Sequence, residues 1–136
     1  MADGSITVNH YVIKVRNFRN WDIWKESIEF VTNIYALAAD FPDTEKYGII
    51  SQIQRAAVSI PANISEGAGR KTDRELIRFL DISLGSSFEV ETLLIVAHNL
   101  KYINDKQKDK ILKDLEVMQK RINKFIQKIN HDLKTK

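Results

Sequence analysis

Helix breakers are so few in this chain that their positions largely decide its architecture. Two prolines and five glycines stand in 136 residues, at Gly4, Pro42, Gly48, Pro61, Gly67, Gly69 and Gly85. Between them apolar residues recur every three or four positions, the period that turns one helix face toward a core. From about Asn20 to Asp40, Trp21, Trp24, Ile28, Val31, Tyr35 and Ala38 form one stripe, and Ile23, Phe30, Ile34 and Leu37 a second beside it. Together they cover about half the circumference, more than the roughly 100° that a core-facing stripe needs.

Phe41-Pro42-Asp43-Thr44 ends this first helix, because proline disfavours a helical residue before it, and Asp43 or Thr44 is placed to cap the next. The second helix carries Ile50, Ile53, Ala57, Ile60 and Ile64 at coiled-coil spacing. Pro61 lies inside it and predicts a kink where the bond to the Ala57 carbonyl is missing. Gly67-Ala68-Gly69 ends it. Thr72-Asp73-Arg74-Glu75 has the form of a reciprocal capping box, opening a third helix that runs to around Asn99. Its apolar residues point nearly all round, as in a helix surrounded by protein. After Asn104-Asp105, Ile111, Leu115, Met118, Ile122, Phe125 and Ile129 mark a fourth helix in heptad register. Short connections make sequential neighbours antiparallel. The expected fold is all-α: an antiparallel up-and-down four-helix bundle over residues 18–136. A short extended arm, residues 1–17, precedes it, and there Ile6–Val15 alternates as an arm or loose strand would.

With no cysteine in the sequence, disulfides, thiolate metal sites and thiol catalysis are excluded. Neither a signal-peptide layout nor an apolar run of membrane length is present, so the expectation is a soluble, cytoplasmic protein. The net charge of +3 hides an asymmetry: residues 1–100 balance at −3 and residues 101–136 at +6. The C-terminal quarter is therefore where a polyanion would be drawn, although a solvated lysine-rich helix face has the same composition.

Catalytic and metal motifs are missing from the pattern. His10, His98 and His131 stand far apart, none in a His-Glu-x-x-His or Glu-x-x-His arrangement, and no Gly-x-Ser-x-Gly elbow occurs. Gly69-Arg70-Lys71-Thr72 lacks the Gly-Lys-Thr order and the preceding strand of a nucleotide-hydrolysing loop. Arg70 and Lys71 nonetheless stand at a helix N-terminus, where an anion is favoured, even though Asp73 and Glu75 already occupy the dipole. On the fourth helix Lys113, Lys120, Arg121, Lys124 and Lys128 project over an arc of roughly 120°, away from the Ile111–Ile129 seam. With no cofactor or metal implied, these seven cations are the candidate nucleic-acid contacts.

The most specific feature is a polar stripe on the second helix: Gln52, Arg55, Ser59, Asn63 and Glu66. Ser86, Glu89 and Glu91 on the third helix are candidate partners. Glu91 projects among Leu80, Leu84, Leu94 and Ile95, a poor place for an unpaired carboxylate. The expectation is a structural network in which Arg55 satisfies Glu89 or Glu91, so that Arg55→Ala costs on the order of 3 kcal/mol. Gly85-Ser86-Ser87 is a small-residue patch that would admit a close helix. Catalysis by Arg55, Glu89 and Glu91 lacks a nucleophile or metal beside them.

The run from Phe41-Pro42 through Glu45-Lys46-Tyr47-Gly48, the block Gln52–Gly67 containing Ser59-Ile60-Pro61-Ala62-Asn63-Ile64-Ser65-Glu66-Gly67, and Gly85–Thr92 closely resemble one family. It is the bacterial four-helix-bundle family of 23S rRNA gene intervening sequences, and the resemblance covers roughly residues 18–130. It implies a bundle that assembles into a ring-like homopentamer. A related branch, the accessory protein of diversity-generating retroelements, binds nucleic acid and a reverse transcriptase through a basic surface. Gln54 stands where arginine is common in the family. The function expected is an oligomeric, non-enzymatic scaffold binding RNA or DNA through a basic surface. The alternative is a protein-interaction adaptor for a larger enzyme such as a reverse transcriptase, with no direct nucleic-acid role.

Overall fold

A computed structural model describes residues 5–8, 11–14 and 16–135. Part of the expected N-terminal arm, and His10 with it, lies outside the described residues. Within the arm, β1 (Ser5–Val8) pairs antiparallel with β2 (Tyr11–Lys14), Ile6 opposite Ile13 and Val8 opposite Tyr11. A 3₁₀ turn at Phe18–Asn20 leads into four helices: α1 (Asp22–Ala38), α2 (Ile49–Ala68), α3 (Asp73–Asn99) and α4 (Asp105–Lys134). Each packs on its sequence neighbour and α1 closes against α4, so α1 and α3 occupy opposite corners of a square bundle.

The core is a column of branched aliphatics. Ile34, Ile53, Ile60, Ile64, Leu80, Leu94, Leu115 and Ile122 are all fully buried, each stabilising the fold by about 2–3 kcal/mol through burial. On α1 the second stripe goes inside: Ile23, Phe30 and Ile34 are buried, joined by Ser27 and by Ala38 of the first stripe, while Leu37 is half-buried. The rest of the first stripe stays at the edge, and Ile28 and Tyr35 are 42% and 44% exposed. On α4 the buried line is Ile111, Leu115, Met118, Ile122 and Ile126. A helix turning 100° per residue drifts off a strict heptad, which brings Ile126 inward and leaves Phe125 and Ile129 half-buried. Phe125 is spent instead on Trp21, ring centroids 4.9 Å apart.

Three helix ends differ from the pattern read in the sequence. Asp43–Glu45 forms a separate 3₁₀ turn, and α2 begins only at Ile49 behind Gly48, without a side-chain cap. At α3 the Thr72 hydroxyl accepts from the Glu75 N–H at 3.1 Å, the Thr72 half of the anticipated box. The complete box belongs to α4, where Asn104 and Gln107 each accept the other's backbone N–H, at 2.8 and 2.9 Å. Between these helices the Tyr102 N–H reaches the Ala97 carbonyl and the Lys101 N–H that of His98, both at 2.9 Å. That is a Schellman stop, and Lys101 holds the left-handed conformation (φ 65°) usually given to glycine.

α2 runs unbroken through Pro61, which is buried. Its approach to α3 is close because both faces are small. Ala56, Ala57 and Gly67 on α2 are buried, as are Ser83 and Ser87 on α3, and Ser83 donates to the Ile60 carbonyl at 2.8 Å. At Gly67 an added Cβ would lie 2.8 Å from the Phe79 Cβ and 3.3 Å from the Leu76 carbonyl. Neither atom can swing aside, so Gly67→Ala should destabilise the bundle by about 1–3 kcal/mol, read as a lower urea midpoint at unchanged slope. Gly85 is the opposite case. Among the described residues nothing lies within 4 Å of its would-be Cβ, so the close approach falls to Ser83, Ser86 and Ser87, and Gly85 faces outward.

Candidate functional site

Two surfaces carry the residues singled out in the sequence. The first is a groove of about 450 Å³ between α2 and α3, lined by Gln52, Arg55, Ala56, Ser59, Ser86 and Glu89. Helical spacing places Gln52, Arg55, Ser59 and Asn63 on the flank of α2 that faces α3. The floor is a hydrogen-bonded chain. The Asn63 side-chain amide donates to the Ser59 hydroxyl and carbonyl, each at 2.8 Å, and the Ser59 and Ser86 hydroxyls meet at 2.8 Å. These bonds satisfy half-buried polar groups and fix the α2–α3 register.

Arg55 does not pair with Glu89 or Glu91. It is exposed and donates to Ser51 one turn back, at 3.2 Å. Glu89 is exposed as well, and Glu91 is half-buried on the α4 side of α3, where Gln119 donates to it at 3.0 Å. Projection had identified the poor place for a carboxylate on Glu91 but not the amide across the α3–α4 seam that answers it. Glu66 is exposed near the end of α2. The expected 3 kcal/mol therefore falls away: Arg55→Ala should shift the folding stability of the single chain by less than about 0.5 kcal/mol, measured by urea unfolding. Neither groove serine bonds a histidine or carboxylate among the described residues, so nothing there activates a hydroxyl.

The second surface is the outer face of α4. Lys113, Lys120, Arg121, Lys124 and Lys128 are all exposed there. Lys120 pairs with Glu116 at 3.0 Å and Arg121 with Glu26 on α1. Lys113, Lys124 and Lys128 enter no ion pair among the described residues. Arg70 and Lys71 are exposed in the α2–α3 turn, with the Arg70 guanidinium 5.2 Å from the centre of the Phe79 ring.

Arg16 was missed in the sequence, having been assigned to the arm. Its guanidinium bonds the carbonyls of Ala68 and Arg70 and pairs with Asp73 at 2.8 Å, tying the chain before α1 to the α2–α3 turn. Arg19 lies 4.7 Å over the Phe18 ring. A lone arginine before a helix gives no sequence signal for either role. At the far end of the bundle, desolvation and the Glu45 carboxylate raise the Tyr102 phenol above its ordinary pKa, and Tyr102 donates to Glu45 at 3.4 Å. Among the described residues no group of three or more histidines and carboxylates is placed to hold a metal, and no helix is long and apolar enough to cross a membrane.

Comparison with curated proteins gives no match. Among solved structures the chain is similar to a protein of unknown function from the S23 ribosomal protein family of Bacteroides thetaiotaomicron. The TM-score is 0.69 at 26% identity, over 76% of this chain and 97% of that one. The family model described as 23S rRNA-intervening sequence protein matches residues 19–124, all four helices up to the last turns of α4. On that match the chain belongs to the 23S rRNA-intervening sequence protein family.

Proposed function

We propose that this protein is a non-enzymatic scaffold that assembles with copies of itself into a closed ring and binds RNA or DNA through the outer face of α4. The observation that carries the binding half is the set of exposed cations Lys113, Lys124 and Lys128, without an ion-pair partner among the described residues and aligned along one helix. Phosphates are the ligand such a strip attracts, by charge and counterion release, and repetition around a ring makes it multivalent.

Assembly is supported by what the bundle leaves uncovered. Ile28 and Tyr35 on α1, and Ile82, Phe88, Ile95 and Val96 on α3, are exposed apolar side chains at opposite corners of the square. Two different patches on opposite sides favour a head-to-tail contact, and such contacts form a ring when the rotation between copies closes. The family resemblance implies five copies. The same exposed patches also suit an adaptor that docks on another protein, and this is the reading left if the chain stays monomeric. Sedimentation equilibrium at micromolar concentration is the test of assembly: a multiple of 15.7 kDa is expected, and a monomer mass would overturn the ring.

A further inference from the structure

The antiparallel bundle gathers at one end the start of α1, the α2–α3 turn and the last third of α4. Contacts fix this: Arg16 reaches Ala68 and Asp73, Trp21 stacks on Phe125, and Arg121 pairs with Glu26. Arg19, Arg70, Lys71, Lys124 and Lys128 are therefore all exposed at or toward the same end, although they come from three separate parts of the sequence. The charge asymmetry read along the chain becomes an asymmetry along the bundle axis.

This end also carries aromatic rings, which the lysine face of α4 lacks. Phe18 and Trp24 meet edge to face at 5.2 Å, Trp21 lies on Phe125, and all four rings are half-buried. Two exposed guanidiniums lie against rings, Arg19 on Phe18 and Arg70 on Phe79, and neither enters an ion pair among the described residues. A guanidinium plane held on an aromatic ring has lost little further freedom to lose on binding. It offers both a flat face for a base and donors for a phosphate. Bases present such faces only when unpaired.

We propose that this end of the bundle is a single-strand site, in which Arg19 and Arg70 stack on or beside unpaired bases while Lys124 and Lys128 hold the backbone. The inference rests on the reading of α4 as a phosphate-binding face and makes it selective for unpaired strands over duplex.

The chain's two tryptophans, Trp21 and Trp24, both stand here, so their fluorescence reports this site alone. Binding of labelled 20-nucleotide oligo-rU and oligo-dT is followed by anisotropy and by tryptophan quenching, with a 20-base-pair duplex beside them. Quenching by either single strand, and weaker binding of the duplex, is expected. Arg19→Ala with Arg70→Ala should weaken single-strand binding about tenfold and lower the slope of log affinity against log salt by about 1.4, leaving duplex binding through α4 much less affected. The pair Arg19→Lys with Arg70→Lys should restore the salt slope but not the preference for single strands. Oligonucleotide binding with unchanged tryptophan fluorescence, or insensitive to the alanine pair, overturns the single-strand site and leaves the α4 reading standing. No binding of any probe overturns both. The rU and dT arms decide between RNA and DNA.

Discussion

Phe88→Glu should convert the assembled protein into a 15.7 kDa monomer without unfolding it. Phe88 is 51% exposed, and among the described residues no other helix covers the outer face of α3 that it shares with Ile82 and Val96. Within the single bundle the substitution replaces one exposed side chain by another and changes stability by less than about 0.5 kcal/mol. Seated against the α1 patch of a neighbour, the same carboxylate is desolvated without a partner, at a cost of several kcal/mol repeated at every contact of the ring. The outward-facing Gly85 lies on the same face. A glycine in the middle of a helix costs about 1 kcal/mol relative to alanine, and among the described residues nothing packs against it there. Sedimentation equilibrium with far-ultraviolet dichroism checks the outcome. A variant that keeps both its helicity and the parent mass would move the contact away from α3; a variant that loses helicity would make Phe88 part of the fold.

That result would also explain why the third helix misled projection. Apolar residues nearly all round α3 suggested burial on every side, and the single bundle buries only Leu76, Leu80, Val90, Leu94 and Ala97 with two serines. In that case the sequence records the surroundings of the helix in an assembly, of which one chain supplies only part. Elsewhere the fold was legible because its signals are local. Thr72 opening α3 and Gly69 closing α2 are decided by backbone groups a few residues away. Lys101 in a left-handed turn was not legible, since the usual sign is a glycine. The polar groove was half legible. Periodicity placed Gln52, Arg55, Ser59 and Asn63 on one flank, but which polar groups meet across two helices depends on their rotation and axial offset. That rotation and offset paired Ser59 with Ser86 and Glu91 with Gln119, and left Arg55 in solvent.

Charge reversal on α4 should have the largest effect on binding. Lys113→Glu, Lys124→Glu and Lys128→Glu together are expected to weaken binding of RNA or DNA by more than about a hundredfold at moderate salt. These three positions isolate the effect because none enters an ion pair among the described residues, unlike Lys120 with Glu116 or Arg121 with Glu26. The new carboxylates stay exposed, and like charges one turn apart on the helix cost only a few tenths of a kcal/mol each. The bundle and its assembly should therefore survive the change. Three lost phosphate contacts lower the slope of log affinity against log salt by about 2 for a single strand, and the three added negative charges repel the strand on top of that. Glutamine at the same positions removes the contacts without the repulsion, so its loss of affinity should be smaller while its salt slope falls by the same amount. A titration of labelled RNA and DNA across low to moderate salt separates the outcomes. Parent binding that hardly responds to salt, or affinity that survives the triple reversal, would place the nucleic-acid contacts off α4. If the parent binds neither polymer, the nucleic-acid reading is overturned and the adaptor reading is the better one.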